Sequence, residues 1–386
     1  MVRERSERFG PYTVHECLGA GGMATVHRAT VAIGPGVTRE VALKRLLPQL
    51  ADDRQFIEDF VREAKLAAQL DLPNIVHIHE LGQIEQTYFI AMELVRGHSV
   101  ASLLQRSRTA RLTPPIGVVV ALMTDLCDAL DYASRGRDVH GQLLHIVHRD
   151  LTPSNLIVTD EGRLKIIDFG VAKTLSGKFM TSTGMVKGKL GYMSVEALTG
   201  AAIDARTDLF SIGVVAWELV AAKRLFTGPN EIDVISKIRA GDVEPPSRHN
   251  PACPVELDGV ILRALARDRD QRWPTAAVMR RALEQLRARY LESAAQIVAW
   301  KHTLVPRPVP APPAELDTLE LSGRDLVSAA RSPLAEGSRR CPTSPAVSPG
   351  LSGPPAPPAD RPSVQTLDDE VTWVTGGAGD LPGAPD

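Results

Sequence analysis

His148-Arg149-Asp150-Leu151-Thr152-Pro153-Ser154-Asn155 is followed by a short apolar strand and then by Asp168-Phe169-Gly170. Pro153 stiffens the turn between the first carboxylate and the amide. Leu164-Lys165-Ile166-Ile167 reads as a strand that returns Asp168 to the same place. Two carboxylates and an amide are thus held on short turns flanking a hairpin. Phosphoryl transfer needs such a set: one carboxylate to orient a hydroxyl and accept its proton, and oxygen ligands for a divalent cation at the phosphates.

Working outward, Leu18-Gly19-Ala20-Gly21-Gly22-Met23-Ala24-Thr25-Val26 follows a strand at Tyr12–His15. Its glycines let a backbone turn approach phosphate oxygens, although hairpins use the same residues. Glu40–Leu46 alternates, so Ala42 and Lys44 share one face and Val41 and Leu43 the other. Arg54–Leu70 has helical spacing, with Phe56, Phe60, Ala64 and Ala67 apolar. Of its acids Glu58, Asp59 and Glu63, the last lies beside the apolar face and is the expected partner of Lys44. Glu58 lies about 140° round the wheel and cannot point to the same place.

These motifs, in this order, resemble the protein kinase superfamily, in its bacterial, eukaryotic-like serine/threonine branch. The resemblance runs from about residue 11 to 290 and closes on Arg267-Asp268-Arg269-Asp270-Gln271-Arg272-Trp273. It implies an α+β, two-lobed fold: a small five-stranded antiparallel sheet with one helix (11–95), and a mainly α-helical lobe (96–290). A charged leader (1–10) precedes it. A helix end and a Pro/Ala/Ser-rich disordered tail (291–386) follow.

The resemblance also implies roles. Asp150 is the catalytic base, Lys44 and Glu63 fix the phosphates, and Asn155 and Asp168 hold Mg²⁺, with Mn²⁺ as an alternative ion. Leu18, Gly19, Ala20, Gly21, Gly22, Val26, Ala42, Lys44, Met92, Glu93, Val95 and Ile157 surround ATP. Met92 is the gatekeeper, the Glu93–Val95 backbone meets adenine, and Ile157 forms the floor. Glu196 pairs with Arg272, and Asp208 braces the catalytic loop. Residues 168–196 form an activation segment whose Thr174, Ser176, Thr181, Ser182 and Thr183 include candidate phosphorylation sites, with Arg149 as a receiver.

Four positions depart from the family pattern: Ala24 for the third glycine, Thr152 for a lysine, Lys189 for a threonine and Val195 for a proline. Losing the charge at 152 removes a contact to the transferring phosphate worth about 2–4 kcal/mol. Lys187 and Lys189 are candidates to replace it. The expected function is ATP-dependent phosphorylation of Ser/Thr hydroxyls of proteins in signal transduction, including the chain itself through transient self-association. The alternative is a pseudokinase scaffold that binds nucleotide or partners without turnover.

Composition bounds the rest. The 386 residues are 44% apolar, ample for a core, and the net charge of -2 gives no reason to expect nucleic-acid or anionic-membrane binding. Cys17, Cys127, Cys253 and Cys341 show no zinc or disulfide spacing. The charged start carries no secretory signal, and the longest apolar runs fall short of the ~20 residues of a membrane span. A cytoplasmic location is the expectation. His140 and His145 lack partners at ligand spacing, so no structural metal is expected there. More than half of the 29 prolines lie beyond residue 303, with three Ser-Pro steps at Ser332, Ser344 and Ser348.

Overall fold

Period-two burial in residues 12–46 builds one sheet with two apolar faces. The computed structural model describes residues 6–137, 141–144, 146–169, 189–290, 293–305 and 365–366. Glu7–Phe9 (β1), Tyr12–Ala20 (β2), Ala24–Gly34 (β3), Val37–Leu46 (β4), Ile78–Ile84 (β5) and Thr87–Glu93 (β6) pair antiparallel in the order β1-β2-β3-β4-β6-β5. On one face Val41 and Leu43 pack with Tyr12, Val14, Ala29 and Phe89. On the other, Ala42 and Leu46 pack with Ala24, Met92 and the helix residues Phe60 and Ala64. Alternation therefore puts Lys44 on the helix side, as expected.

That helix, Arg54–Ala67 (α1), starts where Asp53 accepts from Gln55 N at 3.0 Å. The chain after it is stitched to the lower lobe. Val76 N donates to Ile166 O at 2.8 Å, Ile166 N to Asn74 O at 2.9 Å, and Asn74 Nδ2 to Leu164 O at 2.8 Å. These bonds fix α1 relative to the strand that carries Asp168.

Gly97–Ser99 (β7), Leu156–Thr159 (β8) and Leu164–Ile166 (β9) form a second antiparallel sheet. A Cβ at Gly97 would run into Val158 O, so only glycine lets β7 lie so close to β8. Around it lie Val100–Ala110 (α2), Ile116–Ser134 (α3), Val195–Thr199 (α4), Arg206–Ala221 (α5), Glu231–Ala240 (α6), Val255–Ala264 (α7), Ala276–Tyr290 (α8) and Ala295–Leu304 (α9). α5 is buried all round, and α3 nearly so, as expected for the centre of a helical lobe.

The structure corrects the expected boundaries in three places. Three residues of the expected leader, Glu7–Phe9, form β1, with Phe9 edge-on to Phe89 at 5.7 Å between ring centroids. The sheet exceeds five strands: β1 adds one edge, and Gln365–Thr366 (β10) pairs with Gln83 and Gly82 of β5 at the other. The helical lobe continues past residue 290 into α9, whose Lys301 is 1% exposed and donates to Thr159 O at 2.9 Å and Asp160 Oδ1 at 2.5 Å. Gly170, the five activation-segment hydroxyls, Lys187, His140, His145 and the three Ser-Pro steps lie outside the described residues. Among the described residues no helix is long and apolar enough to cross a membrane.

Candidate active site

Lys44 Nζ donates to Glu63 Oε1 and to Asp168 Oδ1, each at 2.7 Å. One ammonium thus joins β4, α1 and the end of β9, three elements far apart in sequence. Burial alone would lower the lysine's pKa, but the carboxylates of Asp168 and Glu63 outweigh it and push it up. Glu63 is pushed up as well, first by burial and then by repulsion from Asp168, against the pull of Lys44. Two carboxylates thus converge on one ammonium, and carboxylate oxygens are the ligand type that a divalent cation takes. Glu58 instead pairs with Arg54 at 2.8 Å, and buried Asp59 accepts from Gln55 at 3.2 Å. Of the three acids only Glu63 reaches Lys44, as the helical wheel requires.

The second cluster lies in the catalytic loop. Asn155 Nδ2 donates to Asp150 O at 2.8 Å and to Asp150 Oδ2 at 3.2 Å, so its amide oxygen is not the atom spent on Asp150. Ile167 N donates to Asn155 O at 3.0 Å, tying this loop to the turn that carries Asp168. Asn155 and Asp168 supply few oxygens, and among the described residues no group of three His, Cys, Asp or Glu could hold an ion.

Arg149 sits at φ 64°, in the left-handed region a non-glycine residue avoids. The buried carboxylate of Asp208, at the start of α5, holds it there. Asp208 Oδ2 accepts from His148 N at 2.7 Å and Oδ1 from Arg149 N at 2.9 Å. Burial raises Asp208 to about 6, against those two N–H donors. The His148 ring packs on Phe169 at 4.8 Å between centroids. Sequence alone carried no signal of the strain at Arg149.

The glycine-rich stretch is the β2–β3 hairpin, closed by Gly21 N donating to Ala24 O at 2.9 Å. A Cβ at Gly19 would meet nothing within 4 Å, and none of Gly19, Gly21 and Gly22 has positive φ. Neither packing nor backbone conformation within the protein calls for glycine there, whereas a phosphate approaching the backbone would. Ala24 is buried against Leu46 and Phe60, so its methyl belongs to the core. Val26 and Ala42 face α1 with Met92, while Leu18 is exposed at the rim.

At the hinge, Glu93 N donates to His77 O at 2.8 Å, and the Glu93 side chain pairs with Lys165, an interaction that no local pattern announces. Val95 follows it in the linker, half-buried. Ile157 lies in β8 opposite Ser99 and Lys165.

Below the site, Arg272 is fully enclosed. Its Nη1 and Nη2 donate to Glu196 Oε1 and Oε2 at 2.7 and 2.9 Å, and Nε donates to Ala266 O at 2.8 Å. Thr207 Oγ1 adds a bond to Glu196 Oε1 at 2.8 Å. Val195 is the first residue of α4, after the capping Ser194. Proline is favoured at that position, and valine starts the helix there without breaking any bond.

Comparison with known proteins agrees with this geometry. The family described as protein kinase domain matches residues 12–283. The chain is 38% identical over 283 residues to the tyrosine-protein kinase MasK of Myxococcus xanthus (strain DK1622), covering 73% of this chain and 44% of MasK. It is 32% identical over 270 residues to the serine/threonine-protein kinase PrkC of Bacillus subtilis (strain 168), covering 70% of this chain and 39% of PrkC. It therefore spans less than half the length of either relative. The crystal structure of the Mycobacterium tuberculosis PknI kinase domain superposes with a TM-score of 0.53 at 28% identity, covering 74% of this chain and 99% of that one.

Proposed function

The chain belongs to the protein kinase family, and on that premise we propose that it transfers the γ-phosphoryl group of ATP to serine and threonine hydroxyls of proteins, itself included. One observation carries the reading: Lys44 Nζ bonded at 2.7 Å to both Glu63 and Asp168. That contact gathers in one place the groups that fix and charge-balance a nucleotide's phosphates.

In this reading the Gly19–Gly22 backbone covers the phosphates and Lys44 binds them, oriented by Glu63. The adenine lies between Leu18, Val26 and Ala42 above and Ile157 below, beside Met92 and the Glu93–Val95 backbone. Asn155 and Asp168 hold Mg²⁺, which supplies charge neutralisation at the phosphates. Asp150 orients the acceptor hydroxyl and takes its proton. The loose transition state asks the protein for positioning and electrostatics rather than covalent chemistry. The kinase unit runs from β1 at about residue 7 through α9 at about residue 304.

The scaffold alternative drew on Ala24, Thr152, Lys189 and Val195. Two of these have local reasons of their own: Ala24 packs in the core, and Val195 opens a helix. A tyrosine acceptor is the second reading, favoured by the 38% identity to a tyrosine-protein kinase. Incubation of the full chain with [γ-³²P]ATP and Mg²⁺, with and without a generic basic protein, followed by phosphoamino-acid analysis, separates them. Phosphoserine and phosphothreonine are expected. Phosphotyrosine alone moves the assignment to the second reading, and no label moves it to the scaffold.

A further inference from the structure

Asp150 and the phosphoryl group in flight are both negative, and they meet at the same hydroxyl. The transition state spreads its charge over the equatorial phosphoryl oxygens, so a carboxylate alongside needs a cation between them. At the turn after Asp150 the catalytic loop offers Thr152 instead. Its side chain has no charge, the residue is 4% exposed, and its Oγ1 has no hydrogen-bond partner among the described residues.

Asp150 does have a cation from elsewhere in the described residues. Lys189 Nζ donates to Asp150 Oδ2 at 2.8 Å, from 39 residues downstream. Its backbone is firmly seated. Lys189 precedes the 3₁₀ turn Leu190–Tyr192, and Tyr192 N donates to Lys189 O at 3.0 Å. Leu190 and Tyr192 are buried, Ser211 Oγ of α5 donates to Tyr192 O at 2.8 Å, and Tyr192 OH donates to Glu218 Oε2 at 2.9 Å. A Cβ at Gly191 would press on Phe226 O at 3.3 Å, so the turn lies tight against the lobe. The Lys189 side chain itself is 46% exposed. The ammonium is thus pre-placed on Asp150 while nearly half of the side chain stays accessible.

We propose that Lys189 is a catalytic residue of the transfer step, bridging the Asp150 carboxylate and the transferring phosphoryl group in place of the charge that Thr152 does not supply. The inference rests on the kinase reading of Asp150. In the step, the bond from the γ-phosphorus to the β,γ-bridging oxygen breaks, and ADP leaves with the electron pair. The acceptor oxygen forms the new bond to phosphorus, its proton passes to Asp150, and Lys189 keeps its own protons throughout.

The test compares wild type, Asp150→Asn, Lys189→Met and Lys189→Arg as full-length chains, with kcat and the KM for ATP measured on the basic protein. Methionine keeps the stem and loses the charge, whereas arginine keeps the charge. Lys189→Met is expected to lower kcat by about 10²–10³-fold, the scale for one electrostatic group at a transition state. The KM for ATP stays within about 3-fold, because the contact is made in the transition state rather than in nucleotide binding. Lys189→Arg recovers most of the loss.

A Lys189→Met kcat within about 3-fold of wild type overturns the proposal, and the wild-type/Asp150→Asn contrast then still stands as evidence for the kinase. So does a faster Lys189→Met, which would mark the pair as a plug on Asp150. An equal loss in Lys189→Arg overturns it too, because the contact would then be one of shape and not of charge. Absence of transfer by wild type sinks the kinase reading, and this inference with it.

Discussion

Two buried glutamates, each paired with a cation, lie on either side of the catalytic loop, and they are built differently. Glu63 shares Lys44 with Asp168, so one ammonium serves two carboxylates, and Asp168 keeps 32% of its side chain exposed. Glu196 has Arg272 to itself, and that guanidinium also donates to Ala266 O, with the Phe210 ring 5.0 Å away. The first pair is shared with a second carboxylate that is partly open to solvent. The second is complete and has no room for another partner. On the proposed kinase reading, the difference separates a site that handles charge arriving from outside from a joint that holds the chain around Glu196 in place.

The largest effect expected from breaking this contrast is at the joint. Arg272→Ala leaves the Glu196 carboxylate buried and unpaired, and chemical denaturation should show a loss of about 3–5 kcal/mol. Lys44→Met should do the reverse, lowering kcat by about 10²–10³-fold while costing well under half as much stability, because Glu63, already pushed up by burial and by Asp168, can take a proton once the ammonium is gone. Comparable stability losses in the two variants would erase the distinction.

Acid titration sharpens it. Burial would raise Glu196, but the Arg272 hydrogen bonds outweigh it and hold the carboxyl below its ordinary value of 4.5. The unfolded chain therefore binds more protons in that window. The stabilisation is full above about 4.5 and fades as pH falls through the lower, folded value. Melting temperatures of Glu196→Gln against pH should lack this acid limb, and an unchanged limb would place its origin elsewhere. The smallest effect is expected on the site side, where Thr152→Val removes a buried hydroxyl without a partner among the described residues. It should change stability by no more than about 1 kcal/mol, in the favourable direction, as urea midpoints would reveal.

What the sequence made legible follows from periodicity. Alternation placed Ala42 and Lys44 on the helix side, and the helical wheel chose Glu63 over Glu58. Both are properties of backbone geometry that neighbouring elements do not alter. The Asp150–Asn155 spacing and the return of Asp168 were equally local. What escaped depended on tertiary partners. β1 is three residues of a charged leader and carries no alternation long enough to read; Phe9 finds its place only because Phe89 is there. α9 was lost in a composition shift, and its buried Lys301 contradicts the usual exposure of lysine because Thr159 O and Asp160 receive it. The left-handed Arg149 is dictated by Asp208, 59 residues away. For the charge missing at Thr152, the sequence offered two lysines without ranking them; Lys189 reaches Asp150, and Lys187 lies outside the described residues.

The most direct test of the assignment is Asp150→Asn. Transfer from [γ-³²P]ATP and binding of ATP·Mg²⁺ by calorimetry would be measured on the same full-length preparation, beside wild type. The asparagine keeps the size of the side chain and loses the base, so transfer should fall by about 10²–10⁴-fold while nucleotide affinity stays close to wild type. Transfer at the wild-type rate with Asp150 neutralised would contradict the account at its centre.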